Sequence, residues 1–112
     1  MSEDSVDKEV LNTLKIVMES EFDLLINTYV KDSDVRIKDI SCYSHESNPD
    51  DLRRTAHTFK GSSSNLGATH LAALCLALEE ACKNENQSMI KDLIAEIQIE
   101  YKQVKKVFLE AI

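Results

Sequence analysis

Only two glycines and one proline interrupt this 112-residue chain, and tryptophan is absent. So few breakers argue against many short strands and tight turns, and in favour of long helices with few connections. No apolar run approaches the roughly 18 residues that would cross a bilayer. The amino terminus, Met1-Ser2-Glu3-Asp4, has neither the basic region nor the apolar stretch of a signal peptide, so a cytoplasmic protein is expected. Cysteine is scarce and odd in number, and Cys42, Cys75 and Cys82 form no CxxC pair. In a reducing compartment such residues act as small apolar side chains. Joined with His45, they still lack the short-loop spacing of a zinc site, and His45, His57, His70 and the cysteines do not converge on one helix face. No metal centre is expected. Cations are also in the minority: 13 Lys and Arg against 20 Asp and Glu give a net charge of -7. Such a surface repels nucleic acid and anionic membrane.

What is present fits a soluble globular chain, with 43% apolar and 29% charged residues. The length allows one core and is too short for two, so residues 1–112 read as a single domain. Helical periodicity dominates throughout. Val6, Val10, Leu14 and Val17 mark a short amphipathic first helix. Ser20 with Asp23 resembles a capping box that opens a second helix, whose stripe is Phe22, Ile26, Tyr29, Ser33, Ile37 and Ile40. After the polar run 44–48, Asn48 is placed to cap a third helix with Pro49 as its first residue, and Asp50 and Asp51 suit its positive end. That helix runs to about Asn65, and Gly67 breaks it. A fourth helix carries Leu71, Leu74, Cys75, Leu78 and Cys82 and ends near Asn84. A fifth carries Ile90, Leu93, Ile94, Ile97, Tyr101, Val104, Phe108 and Ala111. Short connections force successive helices antiparallel. The expected fold is therefore all-α: an up-down four-helix bundle with a short additional N-terminal helix.

The third helix contains Arg53-Arg54-Thr55-Ala56-His57-Thr58-Phe59-Lys60-Gly61-Ser62-Ser63-Ser64-Asn65-Leu66-Gly67. Gly and Ser in a helix interior cost stability relative to Ala, so their presence calls for a reason. On a helical wheel with Leu52 at zero, Ala56, Phe59, Ser63 and Leu66 lie within about 40° and define the core face. His57 falls at about 140°, Arg53 at about 100°, Lys60 at about 80°, Ser64 at about 120° and Gly61 at about 180°. The chemically active residues thus gather on the solvent side. Gly61 leaves room beside the ring, and the cations Arg53, Arg54 and Lys60 can neutralise an anion carried by the imidazole. Imidazole in its neutral form is a nucleophile available near pH 7. The pattern points to phosphate chemistry.

The sequence His57-Thr58-Phe59-Lys60-Gly61, followed by small residues and Gly67, resembles the histidine phosphotransfer (HPt) domain of multistep phosphorelays. The resemblance covers nearly the whole chain and looks like a free-standing member of the family. Phe59 stands where the family more often has Leu, and both fill the core. The resemblance implies that His57 accepts a phosphoryl group from the receiver-domain aspartate of a hybrid sensor kinase. His57 then passes it to the receiver aspartate of a response regulator. Lys60 matches the family's phosphate-neutralising lysine, with Arg53 in support. Gly61 matches the glycine that admits the partner, with Arg54 and Ser64 beside it on the docking face. Family members commonly place Gln on the next helix within reach of the ring, where this chain has Glu79. A carboxylate there can orient the imidazole by accepting its Nδ1–H, yet repels a phosphate brought too close. No cofactor is implied for this chain, and Mg2+ belongs to the partner receiver. A monomer is the default. A sensor kinase is excluded, because an ATP-binding domain needs Gly-rich loops. A helical adaptor that binds receivers or other signalling partners without phosphate remains the alternative.

Overall fold

The computed structural model describes residues 5–43 and 48–112. The amino-terminal residues 1–4 and the polar run 44–47, with His45, lie outside that description. Among the described residues there are five α-helices and no strand: α1 Lys8–Met18, α2 Phe22–Ser41, α3 Pro49–Asn65, α4 Thr69–Lys83 and α5 Gln87–Glu110. A 3₁₀ turn, Glu19–Glu21, joins α1 to α2. Helices α2 to α5 close a ring in which α3 packs on α4, α4 on α5, α5 on α2 and α2 on α3. This is the expected all-α bundle. Among the described residues no helix is long and apolar enough to cross a membrane.

Three-residue turns at 66–68 and 84–86 reverse the chain between α3, α4 and α5. Both turns end their helices in the same way. The Ala68 N–H donates to Ser63 O at 2.9 Å and the Gly67 N–H to Ser64 O at 3.1 Å, the paired bonds of a Schellman motif with Gly67 at φ +85°. At the second turn the Asn86 N–H donates to Ala81 O and the Glu85 N–H to Cys82 O, with Glu85 at φ 54°. The start of α3 matches the reading of the sequence. Asn48 accepts the Asp50 N–H at 2.9 Å and Pro49 follows it.

Two expectations fail near the amino terminus. Val17 is 71% exposed, and the inward face of α1 is Leu11, Leu14 and Met18. The helix is turned by its entry contact, where the Asp7 N–H donates to Gly67 O at 2.7 Å. Asp7 also caps α1, accepting from Glu9 N–H at 3.0 Å. No capping box forms at Ser20 and Asp23, because Ser20 lies inside the 3₁₀ turn. The Phe22 N–H is bonded to Glu19 O instead, so no side-chain acceptor is needed there.

The core is built from the predicted stripes. Phe22, Phe59, Phe108, Ile26, Leu71 and Ile97 are fully buried, and each such side chain contributes about 1.5–3 kcal/mol relative to exposure. Edge-to-face ring pairs join α2 to α5 through Tyr29 and Phe108 (centroids 5.2 Å apart) and α3 to α5 through Phe59 and Tyr101 (5.9 Å). Polar ties at the rim clamp α2 to α5. Asp34 accepts from the Tyr101 hydroxyl at 2.7 Å and pairs with Lys105 at 3.1 Å, and the Gln98 amide donates to Ser41 Oγ at 2.6 Å. Helix α1 covers one end, held by Gly67 and by the Lys15 ammonium donating to Ala111 O at 3.3 Å.

The two glycines respond oppositely to a methyl group. A Cβ on Gly61 meets nothing within 4 Å, whereas one on Gly67 comes within 3.1 Å of both Asp7 O and Val10 Cβ. Gly61→Ala is expected to stabilise the bundle by about 0.5–1 kcal/mol. Gly67→Ala is expected to destabilise it by at least about 1–2 kcal/mol from backbone conformation alone. Urea-unfolding midpoints check both signs, and shifts of the same sign would contradict this account.

Candidate functional site

The apolar stripe of α3 sets the direction of His57. Ala56 and Phe59 are wholly buried on either side of it, and Ser63, also buried, shares a 2.8 Å hydrogen bond with the Tyr29 hydroxyl. With those residues facing inward, His57 faces out, and its side chain is 66% exposed. Gly61, one turn further on, presents open space beside it. The neighbouring serines satisfy their polarity locally or in solvent. Ser62 Oγ donates to Phe59 O at 3.2 Å, and Ser64 is exposed.

From the facing helix comes Glu79. It sits between Leu78, which is buried, and Glu80, which is exposed, so it occupies the edge of the α3–α4 seam. Its Oε2 lies 3.0 Å from His57 Nδ1, and its Oε1 accepts from Lys60 Nζ at 3.1 Å. One carboxylate therefore joins a histidine and a lysine that stand three residues apart. An ionised carboxylate only accepts, so Nδ1 carries the proton and the Nε2 lone pair is left facing solvent. Burial pushes the Glu79 carboxyl up, but the hydrogen bonds from Lys60 and His57, with their charges, outweigh it and hold the group below the ordinary value of 4.5.

The cations are distributed differently from the simple patch read in the sequence. Lys60 is paired with Glu79, and only 28% of its side chain is exposed. Arg54 pairs with Asp51 at 2.9 Å, and Arg53 stands 3.8 Å from Asp50. Each cation thus has a carboxylate beside it. The two arginine pairs are exposed and loosely held in energetic terms. The Lys60–Glu79 contact is the more buried one. Its signal was present in the wheel, where Lys60 lies closest to the core stripe and therefore nearest the next helix. On the other flank Arg54, Thr55 and Thr58 face Asp32, Val35, Arg36 and Asp39 across an open groove between α3 and α2. The α2 residues of this groove were not among those singled out from the sequence.

Among the described residues no group of three or more His, Cys, Asp or Glu side chains converges. Cys75 and Cys82 are buried and Cys42 is exposed. Burial, reinforced by the charge of Glu79, pushes the Cys75 thiol up to about 12, which suits a packing role.

The depressed Glu79 carboxyl links the site to stability. Its folded-state value lies below the unfolded one, so its contribution is complete above the ordinary carboxylate range and is lost as pH falls through the depressed value. Glu79→Gln is expected to be less stable than wild type at neutral pH, with the gap closing in acid. Urea midpoints measured stepwise from pH 7 downward check this. A gap of constant size would show that the carboxylate charge contributes nothing.

A family model described as Hpt domain matches residues 24–107, most of the chain from α2 through α5. The solved structure of histidine-containing phosphotransfer protein B from Pseudomonas aeruginosa is 36% identical. It covers 96% of this chain and 93% of its own, with a TM-score of 0.89. A maize histidine-containing phosphotransfer protein shares the fold at 20% identity, with a TM-score of 0.85 over 98% of this chain and 84% of its own. Histidine-containing phosphotransfer protein 2 from Arabidopsis thaliana is 35% identical over 51 residues, a match that spans 46% of this chain and 33% of the plant protein's length. With its all-helical bundle and a family match over more than half its length, this chain belongs to the Hpt domain family.

Proposed function

We propose that His57 is the phosphoacceptor of a relay. In that relay it takes a phosphoryl group from the receiver aspartate of a hybrid sensor kinase and delivers it to the receiver aspartate of a response regulator. The observation that carries this reading is the orientation of the ring: Nδ1 is tied to Glu79 at 3.0 Å, which leaves Nε2 exposed on an open helix face. In the incoming step Nε2 attacks the phosphorus of the acyl phosphate in line. The P–N bond forms as the P–O bond to the aspartate breaks, and the carboxylate leaves with the electron pair. The outgoing step reverses this at a second receiver. The receiver's acidic site supplies Mg2+ in both steps. This chain is then a phosphoryl carrier without an ATP site of its own, working as a monomer in the cytoplasm.

The supporting residues divide by position. Lys60, one turn from His57, can share its ammonium between Glu79 and the phosphoryl oxygens, and Arg53 can swing from Asp50 toward the same group. Gly61 leaves the space through which a receiver approaches, and Arg54 and Ser64 lie exposed beside it.

Incubation with a phosphorylated receiver should place an acid-labile, base-stable label on the wild-type chain and none on His57→Gln. Label on the variant would end the relay reading and favour a phosphate-independent adaptor. Lys60→Ala should slow transfer roughly 10–100-fold, the loss of one charge-assisted hydrogen bond, and an unchanged rate removes its role. Gly61→Gln should abolish transfer while remaining folded, and normal transfer from that variant would contradict the docking role of this face.

A further inference from the structure

We propose that Glu79 is a positioning residue that keeps the proton on His57 Nδ1 after the phosphoryl group has arrived, so that the ring remains a good leaving group for the second transfer. The proposal rests on the relay reading above. Three features of the geometry carry it. Glu79 Oε2 is 3.0 Å from Nδ1, while the phosphoryl group would sit on Nε2, the opposite edge of the ring. The anion that repels phosphate in principle is thus separated from it by the imidazole. Only 20% of the Glu79 side chain is exposed, so water competes weakly for the proton it accepts. The second oxygen is held by Lys60 at 3.1 Å, which keeps the carboxylate plane fixed while the ring changes charge.

The proton inventory then closes. Before attack the ring is neutral, with hydrogen on Nδ1 and a lone pair on Nε2. Formation of the P–Nε2 bond uses that lone pair and leaves the ring cationic, with its Nδ1 proton facing the Glu79 carboxylate. When a receiver carboxylate attacks the phosphorus, the P–Nε2 bond breaks, its electron pair returns to Nε2 and the ring is neutral again. No proton enters or leaves in either step. Without an anion at Nδ1 the cationic ring can lose that proton to water. The resulting neutral phosphoimidazole is a poorer leaving group. An amide in place of Glu79 accepts the same hydrogen bond but carries no charge to oppose that loss.

The other charged groups around the ring do not take over this task. On α3 Arg53, Arg54 and Lys60 are cations, which oppose retention of a proton. On α4 the nearby thiols of Cys75 and Cys82 stay protonated because they are buried. On α2 Asp32, Arg36 and Asp39 line the far groove, on the side of Arg54 and Thr58. Among the described residues Glu79 is the anion that contacts the ring.

The test uses the full chain labelled with nitrogen-15 and phosphorylated by phosphoramidate, so that no partner protein is needed. Ring-nitrogen resonances are followed from mildly acidic to alkaline pH. Phosphorylated Glu79→Gln should lose its Nδ1 proton about one pH unit earlier than wild type, a tenfold weaker hold on the proton. Its phosphoryl group should also persist longer at neutral and alkaline pH, with lifetimes converging in acid. Lys60→Met, which removes the cation that offsets the carboxylate, should move the midpoint the other way. Coincident titrations of wild type and Glu79→Gln, an unmoved or lowered midpoint in Lys60→Met, or an adduct on Nδ1 in place of Nε2 would each overturn the proposal. Failure of the relay reading has a different signature: the Nε2 adduct forms and titrates as stated, but no receiver aspartate accepts its phosphoryl group.

Discussion

Burial of one stripe of α3 governs the molecule from its centre. Leu52, Ala56, Phe59, Ser63 and Leu66 pack inward, and the Ser63–Tyr29 hydrogen bond gives the stripe a directional contact as well as apolar area. A helix that presents this face to the core has no freedom left in its rotational setting. His57 must then point outward, Lys60 must lie against α4, and Gly61 must open onto solvent. The ring of four helices serves the same end from outside. The Phe59–Tyr101 and Tyr29–Phe108 pairs hold α5 against α3 and α2, so the stripe cannot roll without disturbing both aromatic contacts.

On that rigid frame the site is balanced in charge rather than strongly cationic. Asp50, Asp51 and Glu79 each stand beside one of Arg53, Arg54 and Lys60. A free cationic cluster would attract any anion and would destabilise the helix by self-repulsion. Paired cations avoid that, and the exposed arginine pairs are weak, which suits the support proposed for Arg53. Glu79 has a further part, because its two oxygens act on different residues. It turns two neighbouring side chains of α3 into one unit governed from α4.

Much of this was legible in the sequence, and the misses have physical causes. The ends of α3 could be read because Asn48-Pro49 and Gly67 have few other uses, and the direction of His57 could be read because Phe59 and Leu66 fix the phase around it. Val17 misled because α1 is short and carries apolar residues on two sides. A wheel finds stripes but cannot choose between them, and the choice was made by a backbone contact to Gly67, far along the chain. Ser20 misled because a 3₁₀ turn can satisfy a helix start without any side chain. Glu79 at His57 Nδ1 was expected from the family resemblance, whereas its second contact, to Lys60, was not. Spacing along one helix says which residues share a face, not which residue on the neighbouring helix reaches them.

Position 61 also matters to anyone who alters this chain. A methyl group there meets no obstacle within 4 Å and relieves the entropy of an exposed helical glycine. A library selected only for folding or heat resistance would therefore enrich alanine or larger helix formers at this position early. Each round would score as progress while the face beside His57 filled in. On the docking role proposed for Gly61, robustness and access are opposed at a single hydrogen atom, and a screen blind to the second would discard it without notice.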